Sequence, residues 1–537
     1  MKKIPGHGKR SFALRPGTTG LLTGLSILQS ALQVAMAIAS RYVVDCAIRG
    51  NDRLLLWSLI LGGVVLALVA VHTISGWLSR STSDTCIAKM QYRLLDIVTG
   101  SPADRLQQYH SGALLTRSMD DVRTVCDGMV RVVPSLFGQI ARLIGALVAV
   151  LVICPKIAPV LLIAGAVVGI LTALLRGVAR KLHKTVRKTE EDVSSVMQED
   201  LRQTTLIQSL QAEDQILTRF RKKLKTSLKA KHNRRIWLVS INSAIASLSL
   251  IGTGALLIWG AVQVANDGIS YGTLTAMVQL LALFRQPLVT ISSLWSQLAA
   301  VDVADARLKE LLSLSADPCP ETLNDVTVES IVFENVTFTY PGDVQPVLSG
   351  FSATLPLNPW TCLTGCSGIG KSTLFKLILG LYTPQEGRVY LNTDHGPLDC
   401  SSATRRFFAY VPQDYALFSG TILENLQLVA PEAVEEEIAS ALHQAGADFV
   451  WELSDKVNTH VFENNVGLSM GQMQRLAIAR SLLMKRPIFL LDECTSALDS
   501  QTESTVLKHL QNMGSQAILV THRPEALSEE RVTFVDI

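Results

Sequence analysis

Long apolar runs recur along the N-terminal part of this 537-residue chain and are absent from its C-terminal part. A helix needs about 20 residues to cross a bilayer. Six runs reach that length, and they are Gly20–Cys46, Leu54–Trp77, Val132–Cys154, Ile157–Leu175, Leu238–Val264 and Leu274–Leu298. A soluble protein would need an implausibly large core to bury all of them. We therefore interpret the runs as transmembrane helices, the third and fourth joined by a tight hairpin at Pro155 and Lys156.

The first run also has the basic flank of a signal peptide, and Ala35–Ala37 has the small residues of a cleavage site. However, its apolar stretch is longer than the 7–15 residues, roughly, of a signal-peptide core. We expect an uncleaved helix.

Basic residues predict the orientation of these helices, because Lys and Arg concentrate in cytoplasmic connections. The first 19 residues carry five, residues 79–128 carry six and residues 176–236 carry sixteen. The opposite side carries only Arg49, Arg53 and Lys156. We therefore predict a multi-pass cell-membrane protein with both termini and the two long connections in the cytoplasm.

Both long connections have apolar residues at helical spacing, as in Ile87, Met90, Leu94, Ile97 and Val98. The first helical extension is interrupted by Pro102. In residues 176–236, seven acidic residues offset the sixteen basic ones. A solvated helical stalk near anionic lipid head groups explains this charge better than RNA binding does.

Composition supports a membrane part fused to a soluble part. Hydrophobic residues make up 48% of the chain and charged residues 18%, against about 25% charged in soluble proteins. The mean hydropathy is +0.29. These values exclude a disordered chain, a collagen and a small disulfide scaffold. A net charge of +3 argues against a nucleic-acid partner, and nine cysteines without a C-x-x-C pair predict reduced thiols and no zinc site.

The composition changes after Ala316, where Asp317–Pro320 has the character of a linker. Val332–Tyr340 then alternates like a strand. We predict a transmembrane domain at residues 1–312, a linker at 313–328 and a soluble domain at 329–537 with a short C-terminal part.

The soluble part contains a glycine-rich loop of the form G-x-x-x-x-G-K-S. It lies between the strand-like Trp360–Thr364 and the helix-like Leu374–Leu381. Its residues are Gly365, Cys366, Ser367, Gly368, Ile369, Gly370, Lys371, Ser372 and Thr373. In such loops, backbone N–H groups surround phosphates at a helix N-terminus, the lysine neutralises phosphate charge and the serine ligates Mg²⁺. This loop therefore predicts binding of a nucleoside triphosphate.

A second element complements this loop. Ile488–Leu491 is an apolar strand that ends in Asp492 and Glu493. A carboxylate at a strand end can hold Mg²⁺, directly or through water, and the next one can polarise an attacking water.

With these motifs, the second half resembles the nucleotide-binding domain of ABC transporters. Leu468–Gln472 resembles the family's L-S-G-G-Q signature, Ser496–Asp499 matches the D-loop, and Gln413 matches the Q-loop glutamine. His522 matches the switch histidine and Tyr340 the aromatic residue that stacks on adenine. Glu463 falls at an acidic X-loop position.

The resemblance implies the following roles. Catalytic roles fall to Glu493, His522 and Gln413, and Mg²⁺ ligation to Ser372, Gln413 and Asp492, the last directly or through water. ATP binding falls to Tyr340, the loop residues 365–373, Ser469, Gly471, Gln472 and Asp499. Met470 replaces the first glycine of the signature, which we expect to be tolerated if its side chain points away.

The first half resembles the six-helix domain of type IV ABC exporters. Tyr109–Arg117 and Gln198–Glu213 look like its two coupling-helix regions. The expected fold is therefore an all-α six-helix transmembrane domain plus an α/β P-loop NTPase domain.

In that family, ATP bound at one chain's P-loop is covered by the other chain's signature. The resemblance therefore implies a dimeric half-transporter that hydrolyses ATP. We favour a second copy of itself as its partner over a homologous half-transporter. An exporter is favoured. An exporter-fold importer and a regulatory membrane subunit with little turnover are the alternatives.

Two arginines bear on the unknown cargo. Arg142 and Arg285 lie in the inner half of the third and sixth runs, whereas the acidic residue within the six runs, Asp45, lies near the outer end of the first. A charge at such depth costs about 2.5–3.5 kcal/mol on insertion scales. Either the arginines bond helix carbonyls or snorkel, or they line a cavity and attract an anionic cargo. Polar Gln29, Gln33, Asn242 and Gln279 are candidates for the same wall.

Overall fold

The computed structural model describes residues 16–50, 52–106, 109, 111–155, 158–314, 326–357, 360–366, 369–413, 417–462, 467–521 and 532–537. Several predicted features lie outside these residues, namely His522, Glu463, Ser367, Gly368 and the linker at Asp317–Pro320. The side chains of Arg285 and Asn242 are also outside the described part.

The chain divides into two compact units. One consists of Met1–Arg93 and Thr116–Lys309, and the other of Leu94–Leu115 and Glu310–Ile537. The second unit thus includes most of the first predicted coupling-helix region, where the Tyr109 hydroxyl donates to Glu310 Oε1 at 2.7 Å. The domain limits at 312 and 329 stay predictions.

Long helices build the first unit, as the apolar runs predict. The helices are α1 (Pro16–Arg49), α2 (Leu54–Thr99), α3 (Ala103–Leu106), α4 (Ser111–Thr116), α5 (Val122–Asp127), α6 (Val133–Ile153), α7 (Ala158–Arg202), α8 (Thr204–Ser209), α9 (Glu213–Ala265) and α10 (Tyr271–Leu312). Two π-helical turns join α4, α5 and α6 into one continuous helix. Short α3 belongs to the second unit, with the end of α2.

Three helices among the described residues are long and apolar enough to cross a bilayer: Gly17–Arg49, Leu54–Thr99 and Gly112–Ile153. Two shorter apolar stretches, Leu250–Ala265 and Tyr271–Phe284, lie in α9 and α10. The predicted fourth run lies in α7. The structure therefore has a helical membrane region, and the count of six crossings stays a prediction.

The predicted cytoplasmic connections are helical. The helices α2, α7 and α9 have 46, 45 and 53 residues, about twice what a bilayer requires. Helix α2 ends at Thr99, just before Pro102, as expected for a residue that cannot continue a helix. Residues 176–236 are not one helix, because α7 ends at Arg202 and α9 begins only at Glu213.

Small residues let α1 and α6 pack closely. A Cβ on Gly138 would lie 3.0 Å from the Ser26 Cβ, and one on Gly145 would lie 3.2 Å from a Val34 methyl. The Ser30 hydroxyl donates to the Gly138 carbonyl at 2.7 Å. Small residues and interhelical hydrogen bonds are the usual basis of helix association in lipid. Apolar side chains of α1, α6 and α10 form the core beside this contact.

The second unit contains two main sheets. The strands are β1 (Val328–Phe338), β2 (Leu348–Pro356), β3 (Trp360–Thr364), β4 (Glu386–Thr393), β5 (Gly396–Asp399), β6 (Phe408–Val411), β7 (Gly420–Thr421), β8 (His460–Val461), β9 (Ile488–Asp492), β10 (Gln516–Val520) and β11 (Val532–Asp536). An antiparallel sheet has the order β2-β1-β4-β5, and a parallel sheet has the order β11-β3-β10-β9-β6. Strands β7 and β8 form a small pair.

Helices cover the parallel sheet, which has apolar cores on both faces. They are α11 (Lys371–Ile378), α12 (Ile422–Gln427), α13 (Glu435–Gln444), α14 (Met470–Leu483) and α15 (Ser500–Asn512). Along β9, Leu490 packs into the core with α11 and the antiparallel sheet, whereas Leu491 packs into the core with α12 to α15. Such double burial explains why the central strands have continuous apolar sequences rather than alternating ones. In β9 it leaves the charged residue, Asp492, at the strand end, where the site lies.

Candidate functional site

The glycine-rich loop connects β3 to α11, as the sequence predicts. Gly365 has φ +141° and Gly370 has φ +110°, both in the region that L side chains rarely adopt. A Cβ on Gly370 would also lie 3.1 Å from a Val347 methyl, and one on Gly365 would lie 3.1 Å from the Ile537 carbonyl oxygen. Both glycines are therefore required by the backbone and by the space around it.

Lys371 begins α11 and is only 7% exposed. Its Nζ donates to the carbonyl oxygens of Gly365 and Cys366, at 2.7 and 3.1 Å. The ammonium group therefore lies inside the turn of the loop, next to the N-terminus of a helix. Positive charge and free N–H groups at one place are what an anionic phosphate chain requires.

Ser372 and Asp492 come together although 120 residues separate them. The Ser372 hydroxyl donates to Asp492 Oδ1 at 3.2 Å, and the Tyr410 hydroxyl lies 3.4 Å from Oδ2. Burial raises the pKa of Asp492, while the Ser372 hydrogen bond acts in the opposite direction. A hydroxyl oxygen beside a buried carboxylate is a donor set that fits Mg²⁺, which prefers oxygen ligands.

Glu493 follows directly and adopts φ +48°, a left-handed conformation that is uncommon outside glycine. Its N–H donates to the Val520 carbonyl at 3.1 Å, which ties the turn to the end of β10. Gln413 Nε2 donates to Glu493 Oε2 at 2.9 Å. The structure thus joins two of the three predicted catalytic residues. Backbone strain of this kind concentrates at functional sites.

Tyr340 lies beside the same loop. Its hydroxyl lies 3.0 Å from the Thr373 hydroxyl and accepts a hydrogen bond from Lys376 Nζ at 3.4 Å. The ring packs edge-on against Phe338 and Tyr382, with centroid distances of 5.0 and 5.4 Å. Tyr340 is therefore held by an aromatic cluster close to the phosphate loop, and its contact with adenine stays a prediction.

The signature segment forms the start of α14. Ser469 is its N-cap, where the hydroxyl accepts from Gln472 N at 3.2 Å and Ser469 N donates to Gln472 Oε1 at 2.8 Å. This reciprocal pair is a capping box, which the S-x-x-Q spacing could have revealed. Met470 is the first helical residue and is 60% exposed. Its backbone has no positive φ, so this position does not demand glycine.

Gly471 has a different constraint, because a Cβ there would lie 2.9 Å from the Ala497 carbonyl oxygen. The signature helix therefore packs against the D-loop at this glycine. Among the described residues, the hydrogen bonds of Ser469 and Gln472 stay within their own helix end and do not reach residues 365–373.

Asp499 caps α15 by accepting from the N–H groups of Gln501 and Thr502, at 3.2 and 2.9 Å. These hydrogen bonds lower the pKa of its carboxyl. Its structural role is therefore clear, whereas its predicted role in binding ATP stays untested.

Gln474 is a residue that the sequence analysis missed. It is fully buried, its Nε2 donates to Ser496 Oγ at 3.1 Å, and its Oε1 accepts from Ala497 N at 3.0 Å. Both contacts fix the D-loop against α14. The signal available in the sequence was a polar residue on an otherwise apolar helix face.

The glycine-rich loop and the carboxylate-ended strand lie at one edge of a parallel sheet. Together they define a P-loop nucleoside triphosphatase joined to a helical membrane region. Two family profiles match the chain: "ABC transporter transmembrane region" over residues 19–288 and "ABC transporter" over residues 348–496. The chain belongs to the ABC transporter family. It is a half-transporter with its membrane and ATP-binding regions in one polypeptide.

Relatives match this chain over most of its length or over about half of it. The uncharacterised ABC transporter ATP-binding protein YfiB of Bacillus subtilis is 27% identical over 514 residues, which cover 94% of this chain and 89% of YfiB. YknV of the same organism is 25% identical over 506 residues, 92% of this chain and 83% of YknV. The exotoxin translocation ATP-binding protein PaxB of Pasteurella aerogenes is 33% identical over 273 residues, 49% of this chain and 38% of PaxB.

Proposed function

We propose that this chain is an ATP-driven exporter that works as a dimer of two such chains. The observation that carries the proposal is the cluster at the end of β9, where Asp492 meets Ser372 and Glu493 meets Gln413. An ATP-responsive regulatory subunit with little turnover would not need these two pairs. The name of PaxB, a translocation protein, supports the outward direction.

Each chain would bind the triphosphate of ATP in its own loop. Lys371 would exchange its bonds to the Gly365 and Cys366 carbonyls for bonds to phosphate oxygens. Ser372, Asp492 and Gln413 would hold Mg²⁺, which would neutralise part of the phosphate charge when bound. The Glu493 carboxylate would orient the attacking water and take its proton. His522, the predicted switch histidine, would contact the γ-phosphate.

The second chain would complete the site with its signature. The Ser469 hydroxyl uses a lone pair to accept from Gln472 N. A hydroxyl has one hydrogen and two lone pairs, so the Ser469 hydrogen is still available to donate. It would bond the γ-phosphate held by the partner, together with the N–H group of Gly471. Met470 lies between these two residues at the first helical position, where the backbone does not require glycine.

Closure of the two ATP-binding regions would then change the membrane region. ATP favours the closed state because it touches both chains at once, so its binding shifts the population of conformations. The long helices α2, α7 and α9 would carry this change to the membrane-spanning segments. Hydrolysis would remove the γ-phosphate that joins the chains and would reset the transporter.

The test is the ATPase activity of the purified full chain, without any homologue, in detergent and in lipid vesicles. We expect turnover that vanadate inhibits and that Glu493→Gln removes. Activity that appears only with a co-expressed homologous half-transporter would overturn the homodimer. Binding of ATP without turnover in either preparation would favour the regulatory subunit instead.

A further inference from the structure

A cavity of about 400 Å³ lies between α1, α2 and the helix Gly112–Ile153. Its described lining includes Arg80, Arg131, Arg142 and His72, and no Asp or Glu is among those lining residues. Serine hydroxyls and two glutamine amides supply most of the remaining polar groups. Ligand sites typically have volumes of about 300–1,000 Å³ and a few convergent polar groups. The size and lining of this cavity are therefore those of a binding site with an excess of positive charge.

Arg142 is the most buried of its cations, at 8% exposure. Its Nη1 donates to Gln286 Oε1 at 2.9 Å, which is a neutral partner, while its Nε is buried without one. The Oε1 atom of Gln139, one helical turn away, is also buried without a hydrogen bond. A guanidinium offers five N–H donors, and a buried charge normally has an opposite charge beside it. Arg142 and Gln139 therefore have hydrogen-bonding capacity that the described residues do not satisfy.

The other two arginines are only weakly engaged. Arg131 lies 3.8 Å from Asp127 Oδ1, and both side chains are partly exposed. Arg80 makes no hydrogen bond or ion pair with the described residues. Arg80 lies just past the predicted second span and Arg131 just before the third, so the cavity is at the cytoplasmic side of the predicted membrane region. Arg142 lies within the third predicted span, and charges inside the membrane normally face a cavity or a functional partner.

We propose that this cavity binds an anionic group, a phosphate or a carboxylate, of the molecule that the transporter moves. Arg142 would be the main anchor, because it is buried and fixed by Gln286, and Arg80 and Arg131 would contact the anion from the cytoplasmic side. Planar guanidinium groups suit such oxyanions because they can donate two parallel hydrogen bonds. The inference rests on the proposed transport function. The anionic group could come from a lipid head group or from a water-soluble metabolite.

The binding test uses the full chain with Lys371→Ala in every sample, so that the nucleotide loop does not compete for phosphate. One arm measures binding of radiolabelled inorganic phosphate by equilibrium dialysis. The other counts phosphatidylglycerol that co-purifies after reconstitution in phosphatidylcholine vesicles containing this lipid. Retention of phosphatidylglycerol alone would assign the site to a lipid head group. Binding of phosphate would assign it to a soluble anion.

Variants then locate the site. We expect the double change Arg131→Gln and Arg142→Gln to weaken binding of the active probe by about tenfold or more, because charge-assisted hydrogen bonds are lost. Arg→Lys at both positions keeps the charge and should retain part of the binding. Arg123→Gln, on α5, removes the same charge at an exposed residue that does not line the cavity, and should bind like the parent. Arg80→Gln tests the site without touching the buried Arg142–Gln286 contact.

The inference fails if neither probe binds the parent protein, or if the double variant and Arg80→Gln bind as well as Arg123→Gln does. ATPase activity, measured separately with Lys371 intact, distinguishes failure of the proposed transport function from failure of the anion site. Absence of vanadate-sensitive activity would defeat the proposed function. Normal activity without probe binding would defeat only the anion site.

Discussion

Gln413 Nε2 donates a hydrogen bond to Glu493 Oε2 at 2.9 Å, across 80 residues of sequence. Glu493 reaches this position because its backbone turns into the left-handed region directly after β9, at φ +48°. The Q-loop residue and the proposed catalytic base are therefore one connected pair. A shift of Gln413 on nucleotide binding would therefore also reorient the Glu493 carboxylate that acts on water.

Glu493→Gln should reduce ATP turnover to near the background of the assay while ATP still binds. The change keeps the size of the side chain but removes its ability to accept a proton. ATP that cannot be hydrolysed should hold the two chains together, so a closed dimer should accumulate with ATP. Steady-state ATPase and size-exclusion chromatography would measure both effects. Glu436→Gln, an exposed residue on α13, is the matched control, and steady turnover in Glu493→Gln would exclude the base role.

Lys371→Ala should weaken nucleotide binding itself rather than only the chemical step. The variant loses the buried ammonium group that the Gly365 and Cys366 carbonyls hold inside the loop. A fluorescent ATP analogue, titrated without turnover, would report the change in affinity. Equal affinity in the variant and the parent would show that Lys371 does not contact the phosphates.

Substitutions at Ser469 can separate its cap from its proposed contact with phosphate. Ser469→Ala removes the cap of α14 and should cost about 0.5–2 kcal/mol locally. Ser469→Asp keeps a capping oxygen but adds a negative charge, so it should preserve helix stability and abolish ATPase activity. Ser469→Thr should retain both properties.

Hydrogen exchange at the first turn of α14 would report the cap, and turnover would report the phosphate contact. Thr421→Asp is the matched control, because Thr421 caps α12 with the same type of capping box. Full activity in Ser469→Asp would rule out a phosphate contact at this residue.

The Mg²⁺ requirement should depend on pH through Asp492. Only the ionised carboxylate binds the cation, and burial raises its pKa above the ordinary value of about 3.9. Protons should therefore compete with Mg²⁺ at a higher pH than at an exposed aspartate, and the half-saturating Mg²⁺ concentration should rise as the pH falls.

Tyr410→Phe provides the comparison, because the Tyr410 hydroxyl lowers the pKa of Asp492 by hydrogen bonding. In this variant the increase in the Mg²⁺ requirement should begin at a higher pH than in the parent. Mg²⁺ titrations of ATPase activity at a series of pH values would measure the difference. Superimposable curves for the two proteins would show that protonation of Asp492 does not set the Mg²⁺ requirement.

Local sequence was sufficient to predict the elements around the nucleotide loop. The strand Trp360–Thr364 has the predicted bounds, whereas the helix that follows covers Lys371–Ile378 rather than the predicted Leu374–Leu381. The positions of Gly365 and Gly370 could be recognised from the spacing of the glycines in the motif. Their positive φ angles are the reason why glycine is needed there. The capping box at Ser469 was also readable, since its two partners are three residues apart, but the family resemblance of the segment obscured it.

Contacts between distant segments could not be read in this way. Gln474 reaches Ser496 and Ala497 only because α14 packs beside the D-loop. In the membrane region, the sequence indicated Arg142 and Arg285 as a pair. The structure places Arg142 with Arg80 and Arg131 at one cavity, and the Arg285 side chain lies outside the described part.

The periodicity of apolar residues and the glycine, lysine and carboxylate motifs determined the membrane helices, the α/β nucleotide domain and the identity of its P-loop. These features depend on short-range sterics, on hydrogen bonding within a helix or turn, and on local transfer of apolar side chains out of water. Only the tertiary structure decided which residues meet, such as Ser372 with Asp492 and Gln413 with Glu493. Those pairs depend on the order of strands in the sheet and on side-chain packing between segments far apart in the chain, which no local pattern records.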